Sequence, residues 1–198
     1  MMIDTNLLIC WGAIHRKVAK GQTIFYEGDK AHFYYQLVSG RIKMVNCNEE
    51  GKEFIQWLFS AGESFGEPPL FDDGEYPASA VAEEDSVIIR LNKESLMQLL
   101  QENTTLLSKF TRVFATRLRL KAILSKEISC YGPEHRIIAL IKQVKKKDRV
   151  PDHTKYKLDL TRQQIADMTG LRVETVIRAI RNLYEKGHLL VERGKVYC

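Results

Sequence analysis

Leu160-Thr161-Arg162-Gln163-Gln164-Ile165-Ala166-Asp167-Met168-Thr169-Gly170-Leu171, followed by Arg172-Val173-Glu174-Thr175-Val176-Ile177-Arg178, decides how the rear of the chain is read. Thr161 is placed to cap a helix, and Gln164 three residues later can reach back to it, the pattern of a capping box. The helix that follows is expected to run to about Met168. Thr169-Gly170-Leu171 then supplies a turn with glycine where two helices meet closely. A second helix is expected from near Arg172 to about Lys186, stopped by Gly187. Along it, Val176, Ala179, Ile180 and Leu183 recur at helical spacing and predict an inward stripe, while Glu174, Ile177, Arg178 and Arg181 fall on another face.

Beyond Gly187, Leu189 to Tyr197 reads as two short strands around a turn, with Arg193 and Lys195 at the tip. Helix, turn, helix and hairpin in that order are the parts of a winged helix-turn-helix. Such a reader anchors one side of its second helix and carries long polar groups on the other into the major groove. Arginine can pair in bidentate fashion with guanine, and a carboxylate can accept from the cytosine amino group. Arg193 and Lys195 suit phosphate contacts. The plainer reading of Glu174 and Arg178 is an i, i+4 ion pair on a wet surface. The spacing alone leaves both open.

Charge favours the first reading. Residues 1–130 hold 15 Lys/Arg and 17 Asp/Glu, whereas residues 131–198 hold 15 and 8, so the front is mildly acidic and the rear carries a net +7. A basic rear suggests a polyanionic partner. Cys10, Cys47, Cys130 and Cys198 lie far apart, without a C-x-x-C pair or a compact Cys/His cluster, so zinc and iron–sulfur spacings are absent and reduced thiols in a cytoplasmic protein are expected. The apolar stretch Leu7 to Ile14 is too short to span a bilayer and lacks a basic region before it, so no membrane role is expected.

In front of the reader the texture is different. From about Lys17 to Leu91, short strand-like runs alternate with glycine turns: Thr23 to Tyr26, Phe33 to Val38, Arg41 to Val45, Glu53 to Phe59 and Ser86 to Leu91, with Gly28, Gly40, Gly51 and Gly62 between them. This predicts an antiparallel sandwich or barrel. From Lys93 to about Ser129 there is neither Pro nor Gly, and Leu107, Phe110, Phe114, Leu118 and Leu124 recur near a 3–4 repeat. A short helix and a long amphipathic one are expected. The stripe (Phe110, Phe114, Leu118, Leu124) could be buried on its own β domain, but a helix of about twenty-five residues is about 38 Å long and outreaches a small barrel, so a seam with a second copy is the preferred reading. Tyr131-Gly132-Pro133 breaks it.

The expected architecture is therefore α+β in two domains. Residues 1–92 form an antiparallel, jelly-roll-like β-roll, 93–130 a short helix and the long dimerisation helix, and 131–198 the winged helix-turn-helix.

With these motifs in place, the chain resembles the Crp–Fnr family of bacterial transcription regulators over nearly its full length. Glu174-Thr175-Val176-Ile177-Arg178 matches the family's E-T-[VI]-x-R recognition signature, and Gly51-Lys52-Glu53 with Gly66-Glu67 and Leu70-Phe71 resembles its cyclic-nucleotide-binding-like β-roll. The resemblance implies a homodimer on double-stranded DNA at a near-palindromic site, with RNA polymerase as a further partner. It also implies base reading by Glu174 and Arg178, together with Val173 and Ile177, and phosphate contacts by Arg162, Gln163, Thr175, Arg172, Arg181, Arg193 and Lys195. Val173-Glu174-Thr175-Val176 is closer to the family's oxygen-responsive branch (V-E-T-[VI]-S-R) than to its cyclic-AMP branch (R-E-T-V-G-R). Ile177, standing where the former has Ser, suits a thymine methyl. Arg172 replaces a small hydroxyl residue, a loss of capping that typically costs about 1 kcal/mol and that a nearby phosphate would offset.

The same resemblance places an effector pocket at Gly66, Glu67, Pro77, Ala78 and Ser79, with Lys121 and Ala122 on the long helix. In the cyclic-AMP branch an Arg-Ser pair holds the phosphate. Here Pro77-Ala78 take that position, and proline brings neither side-chain charge nor backbone N–H. No cofactor and no metal are therefore expected, and cyclic AMP is disfavoured. A cyclic-nucleotide-responsive switch stays as the alternative. A cupin-like barrel enzyme is more remote, because it needs clustered His/Glu ligands and the segment from Lys17 to Leu91 contains only His32.

Overall fold

The computed structural model describes residues 2–151 and 154–198, which fall into two compact units divided between Ala115 and Thr116. The first opens with helix α1 (Thr5–Cys10), capped by Asp4, whose carboxylate accepts from the N–H groups of Asn6 and Leu7. Eight strands follow: β1 (Ile14–Val18), β2 (Thr23–Phe25), β3 (Phe33–Ser39), β4 (Arg41–Cys47), β5 (Glu53–Ser60), β6 (Ser64–Phe65), β7 (Ser79–Ala82) and β8 (Ser86–Asn92). A four-residue helix, α2 (Pro69–Asp72), lies between β6 and β7. The strands pair antiparallel in two four-stranded sheets, ordered β1-β8-β3-β6 and β2-β7-β4-β5. This is the expected antiparallel β-roll. Gly28, Gly40, Gly51 and Gly62 all have positive φ, as their turns require.

Three strands escape the sequence pattern. β6 and β7 are short, and β1 starts ahead of the expected Lys17, so the roll contains His15 as well as His32. The Leu7–Ile14 stretch also has a structural use, because Leu8 of α1 is fully buried. Strand β3 explains why: Tyr34 and Tyr35 are both buried, although neighbouring side chains on a strand point to opposite faces. Tyr35 meets Phe65 and, across the roll, Phe25, while Tyr34 meets Phe110 on the other side of the sheet. The N-terminal segment closes that outer face, with the Ile3 N–H donating to Gln36 Oε1 and Gln36 Nε2 donating back to the Ile3 carbonyl. A sheet covered on both faces loses the alternation that would mark it in the sequence.

Helix α3 (Lys93–Glu102) is capped by Asn92, and α4 (Thr104–Cys130) is the long helix. The assignment of Phe110 to an intersubunit seam is corrected: it is 1 % exposed, and its ring packs on Tyr34, Phe71 and Phe114 within the roll. Phe114 is half-buried against the same core. Leu118, by contrast, is 71 % exposed, and Leu124 is half-exposed. The early turns of α4 are thus consumed by their own β-roll, and the division between the two units falls inside the helix.

Unit two continues with α5 (Pro133–Lys147), started by Gly132 and by Pro133 at the position where a missing N–H is harmless. Helices α6 (Arg162–Thr169) and α7 (Val173–Glu185) and the hairpin β9 (Leu190–Glu192) and β10 (Lys195–Tyr197) complete it. The segment 156–158 pairs along β10, with Leu158 N–H donating to the Val196 carbonyl and Tyr156 and Cys198 exchanging both backbone bonds. Ile137, Leu140, Leu158, Ile165, Val176 and Val196 are buried at the centre of this unit. Among the described residues no helix is long and apolar enough to cross a membrane.

Candidate nucleic-acid interface

The capping box at the start of α6 forms as the spacing predicts. Thr161 Oγ1 accepts from the Gln164 N–H at 3.1 Å, and Gln164 Oε1 accepts from the Thr161 N–H at 2.8 Å. Gly170 ends the helix in the left-handed region, φ 67°, where a β-carbon would be strained. After one more residue comes Arg172, the N-cap of α7, which is exposed and makes no side-chain cap hydrogen bond. Val176, Ala179, Ile180 and Leu183 are all buried, so the inward stripe is as expected and fixes the rotation of α7 about its axis.

That rotation turns Glu174, Ile177, Arg178 and Arg181 outward, all exposed, with Val173 and Thr175 half-buried beside them. Ile177 is 51 % exposed. Among the described residues neither Glu174 nor Arg178 has a side-chain hydrogen-bond or ion-pair partner. The i, i+4 pair that does form on this helix is further along, Arg181 Nε to Glu185 Oε1 at 3.0 Å. The far end of α7 is tied down by Lys186 and Asn182, which donate to the two oxygens of Glu134 at 2.6 and 3.2 Å.

The wing is a two-residue hairpin. Glu192 pairs with Lys195, and both connecting residues have positive φ, Arg193 at 47° and Gly194 at 75°. This is the type I′ geometry that suits the twist of a hairpin. Arg193 carries a β-carbon in a region that disfavours one, and the arrangement puts its guanidinium at the tip. Arg193 and Lys195 are both exposed. Lys155, absent from the sequence reading, braces the wing by pairing with Glu192 at 2.6 Å and lying over the Tyr197 ring at 4.7 Å.

Arg162 joins the parts. It is half-buried, its Nη2 donates to the Gly194 carbonyl at 3.4 Å, and burial pulls its pKa below the usual arginine value without abolishing the charge. With Ile177, Ile180, Arg181, Tyr184 and Val191 it lines a shallow cleft of about 300 Å³ between α6, α7 and the wing. Tyr184, 49 % exposed, is a second residue that sequence reasoning missed. It lies seven residues after Ile177, so helical spacing alone was enough to find it. Gln163 is exposed, and its amide donates to Asp167 at 2.8 Å.

The residues assigned to an effector pocket differ in exposure. Gly66 has φ 72°, Glu67 is 1 % exposed and Ala78 is fully buried. Pro77 is exposed, and its carbonyl accepts from Asn46 Nδ2 at 2.8 Å, while the Ser79 hydroxyl accepts from the Glu27 N–H at 2.9 Å. Lys121 and Ala122 are exposed on the part of α4 that belongs to the second unit.

Comparison with known proteins agrees with this layout. Residues 15–103 match the cyclic nucleotide-binding domain family, and residues 135–197 match the Crp-like helix-turn-helix domain family. The chain is 29 % identical over 184 residues to the cAMP-activated global transcriptional regulator CRP of Pasteurella multocida, covering 92 % of this chain and 87 % of that protein. It is 28 % identical over 181 residues to the cyclic AMP receptor protein of Thermus thermophilus, covering 91 % and 82 %. Among solved structures, the c-di-GMP-responsive global regulator CLP of Xanthomonas campestris has the same fold, with a TM-score of 0.78 over 97 % of this chain and 96 % of that one at 20 % identity.

Proposed function

Because the chain belongs to the Crp–Fnr family of DNA-binding transcription regulators, we propose that it acts in the cytoplasm as a homodimer that reads a near-palindromic duplex and recruits or blocks RNA polymerase there. Glu174 and Arg178 are the base readers. Arg178 is suited to guanine and Glu174 to the cytosine amino group. Ile177 packs on a thymine methyl, with Val173 beside it. Arg162, Gln163, Thr175, Arg172, Arg181, Arg193 and Lys195 take phosphates, setting register without carrying sequence information. The later turns of α4, from Leu118 onward, form the seam with the second copy.

The observation that carries this reading is the state of Glu174 and Arg178: opposite charges, exposed one turn apart, each without a side-chain partner among the described residues. A charge pair selected only for solubility or helix stability would close on itself, as Arg181 and Glu185 do. Cyclic AMP is not the effector in this reading, because an anion buried in the roll needs a cationic fork and Pro77-Ala78 supply none.

Selection of bound duplexes from a random pool tests the proposal. A palindromic consensus with two half-sites about one helical turn apart is expected, bound with a steep salt dependence and a strong preference over random sequence. Binding that is equally tight on all duplexes would remove the base-reading roles. A selection repeated with a metabolite extract would reveal an effector by a change in retained duplex.

A further inference from the structure

A cyclic nucleotide in a roll of this kind would have to lie between Gly66-Glu67 and Pro77-Ala78, and here that place is already filled. Phe25 of β2 and Tyr76, just ahead of β7, lie face to face with ring centroids 3.6 Å apart and 11° between their planes. Phe25 also meets the rings of Tyr35 and Phe65 in the opposite sheet, at 5.6 and 6.2 Å, and those two stack on each other at 5.5 Å. Phe25 is 5 % exposed, Tyr76 3 % and Ala78 0 %. Even one methyl group added at Gly66 would sit 2.7 Å from Phe25 Cζ and 3.1 Å from Tyr76 Cε1. Interiors packed this closely hold no spare volume for a ribose or a purine.

The polar groups nearby are no better suited. The Ser79 hydroxyl already accepts the Glu27 N–H, and the Pro77 carbonyl already accepts from Asn46. Burial, with Tyr35, Asp29 and Glu67 nearby, raises the Tyr76 phenol above its ordinary pKa, so the plane facing Phe25 stays a neutral ring.

We infer that the Phe25–Tyr76 ring pair is a built-in plug that takes the place of a small-molecule ligand between Gly66 and Ala78, so that the β-roll is held in one conformation and DNA binding needs no cyclic nucleotide. The inference rests on the regulator reading and goes one step beyond it. The missing Arg-Ser pair removes the phosphate partner, whereas the plug removes the space and supplies the packing that a bound purine would otherwise provide. An apolar cavity opened by deleting one ring would be dry and would accept a flat aromatic molecule of similar size.

The test uses the full chain, calorimetry with cyclic AMP, cyclic GMP and indole, and anisotropy with a selected duplex. Wild type is expected to bind the duplex equally with and without either nucleotide and to take up none of the three ligands. Pro77→Arg/Ala78→Ser, which restores the polar pair but not the space, is expected to bind no nucleotide either. Tyr76→Ala is expected to bind indole and to lose DNA affinity that indole restores. Phe25→Ala, which deletes the other ring of the pair, should show the same pattern if Tyr76→Ala does not fold. Saturable nucleotide heat from wild type or from Pro77→Arg/Ala78→Ser would overturn the plug, as would a folded ring-deletion variant that ignores indole. Failure of wild type to bind any duplex would instead sink the regulator reading and leave the indole result to be judged separately.

Discussion

Arg162, at the start of the first reader helix, donates through Nη2 to the carbonyl of Gly194 at the tip of the wing, 3.4 Å away. The bond is long and weak, but it places one cation where α6, α7 and the wing converge. Arg162→Ala is expected to weaken binding about equally on all duplexes and to reduce the slope of log affinity against log salt by about two on a full palindrome, one phosphate per protomer. Arg162→Lys keeps the charge and should keep most of the slope. Salt titrations of the three proteins on one duplex check this. An unchanged slope in Arg162→Ala would remove Arg162 from the phosphate contacts.

Glu174→Ala and Arg178→Ala should behave differently from Arg162→Ala. Each is expected to relax base preference at one position per half-site by about 1–3 kcal/mol while leaving the salt slope nearly unchanged. Affinities for single-base variants of the selected site provide the measurement. Uniform weakening on every variant would mean that the outward face of α7 meets backbone and not bases.

The two ends of the stripe on α4 make opposite predictions. Phe110 is a core residue of the roll, so Phe110→Ala is expected to cost about 3–5 kcal/mol of stability, seen as an earlier melting transition. Leu118 is 71 % exposed. Leu118→Glu should leave the β-roll folded but shift sedimentation toward monomer and weaken binding to a full palindrome more than to a half-site. A Leu118→Glu protein that stays dimeric would relocate the seam.

Thr161→Ala removes one half of the capping box at α6. A loss of about 1 kcal/mol is expected, read as a lower melting temperature with no change in which duplex is preferred, since Thr161 caps the helix and reads no base.

Glu134 supplies a dependence on pH. Its carboxylate accepts from Lys186 and Asn182, and these bonds hold its pKa below the usual carboxylate value. A folded-state pKa below the unfolded one means that the ionised form favours the fold. The contribution is complete above about pH 4.3, the unfolded value, and is lost as pH falls through the lower folded value. Glu134→Gln should therefore melt earlier than wild type at neutral pH, and the gap should close on acidification. The pair is exposed, so the gap is small. A gap that persists at the lowest pH would assign the effect to packing.

Much of the interface was legible in the chain itself. The capping box, the glycine turn and the stripe Val176, Ala179, Ile180, Leu183 are local: each depends on residues within four or so positions, and each formed as expected. Tyr184 and Lys155 escaped attention, the first despite its spacing from Ile177 and the second because its partners Glu192 and Tyr197 lie 37 and 42 positions away. In the roll, strands β1, β6 and β7 were missed: β6 and β7 are short, and β1 buries only Val18, so its Ile14-His15-Arg16-Lys17-Val18 run carries no apolar period of two.

The sequence by itself determined the helix-turn-helix and its wing, the basic rear, and the presence of a glycine-punctuated roll followed by a long helix, because caps, turns and helical periodicity are properties of neighbouring residues. Only the tertiary structure decided that Phe110 belongs to the roll and not to a seam. It also decided that Arg162 reaches the wing, and that Phe25 and Tyr76 close face to face beside Gly66. Those outcomes depend on which surfaces meet after the chain has folded back over tens of residues, and one residue's spacing says nothing about the volume another will fill.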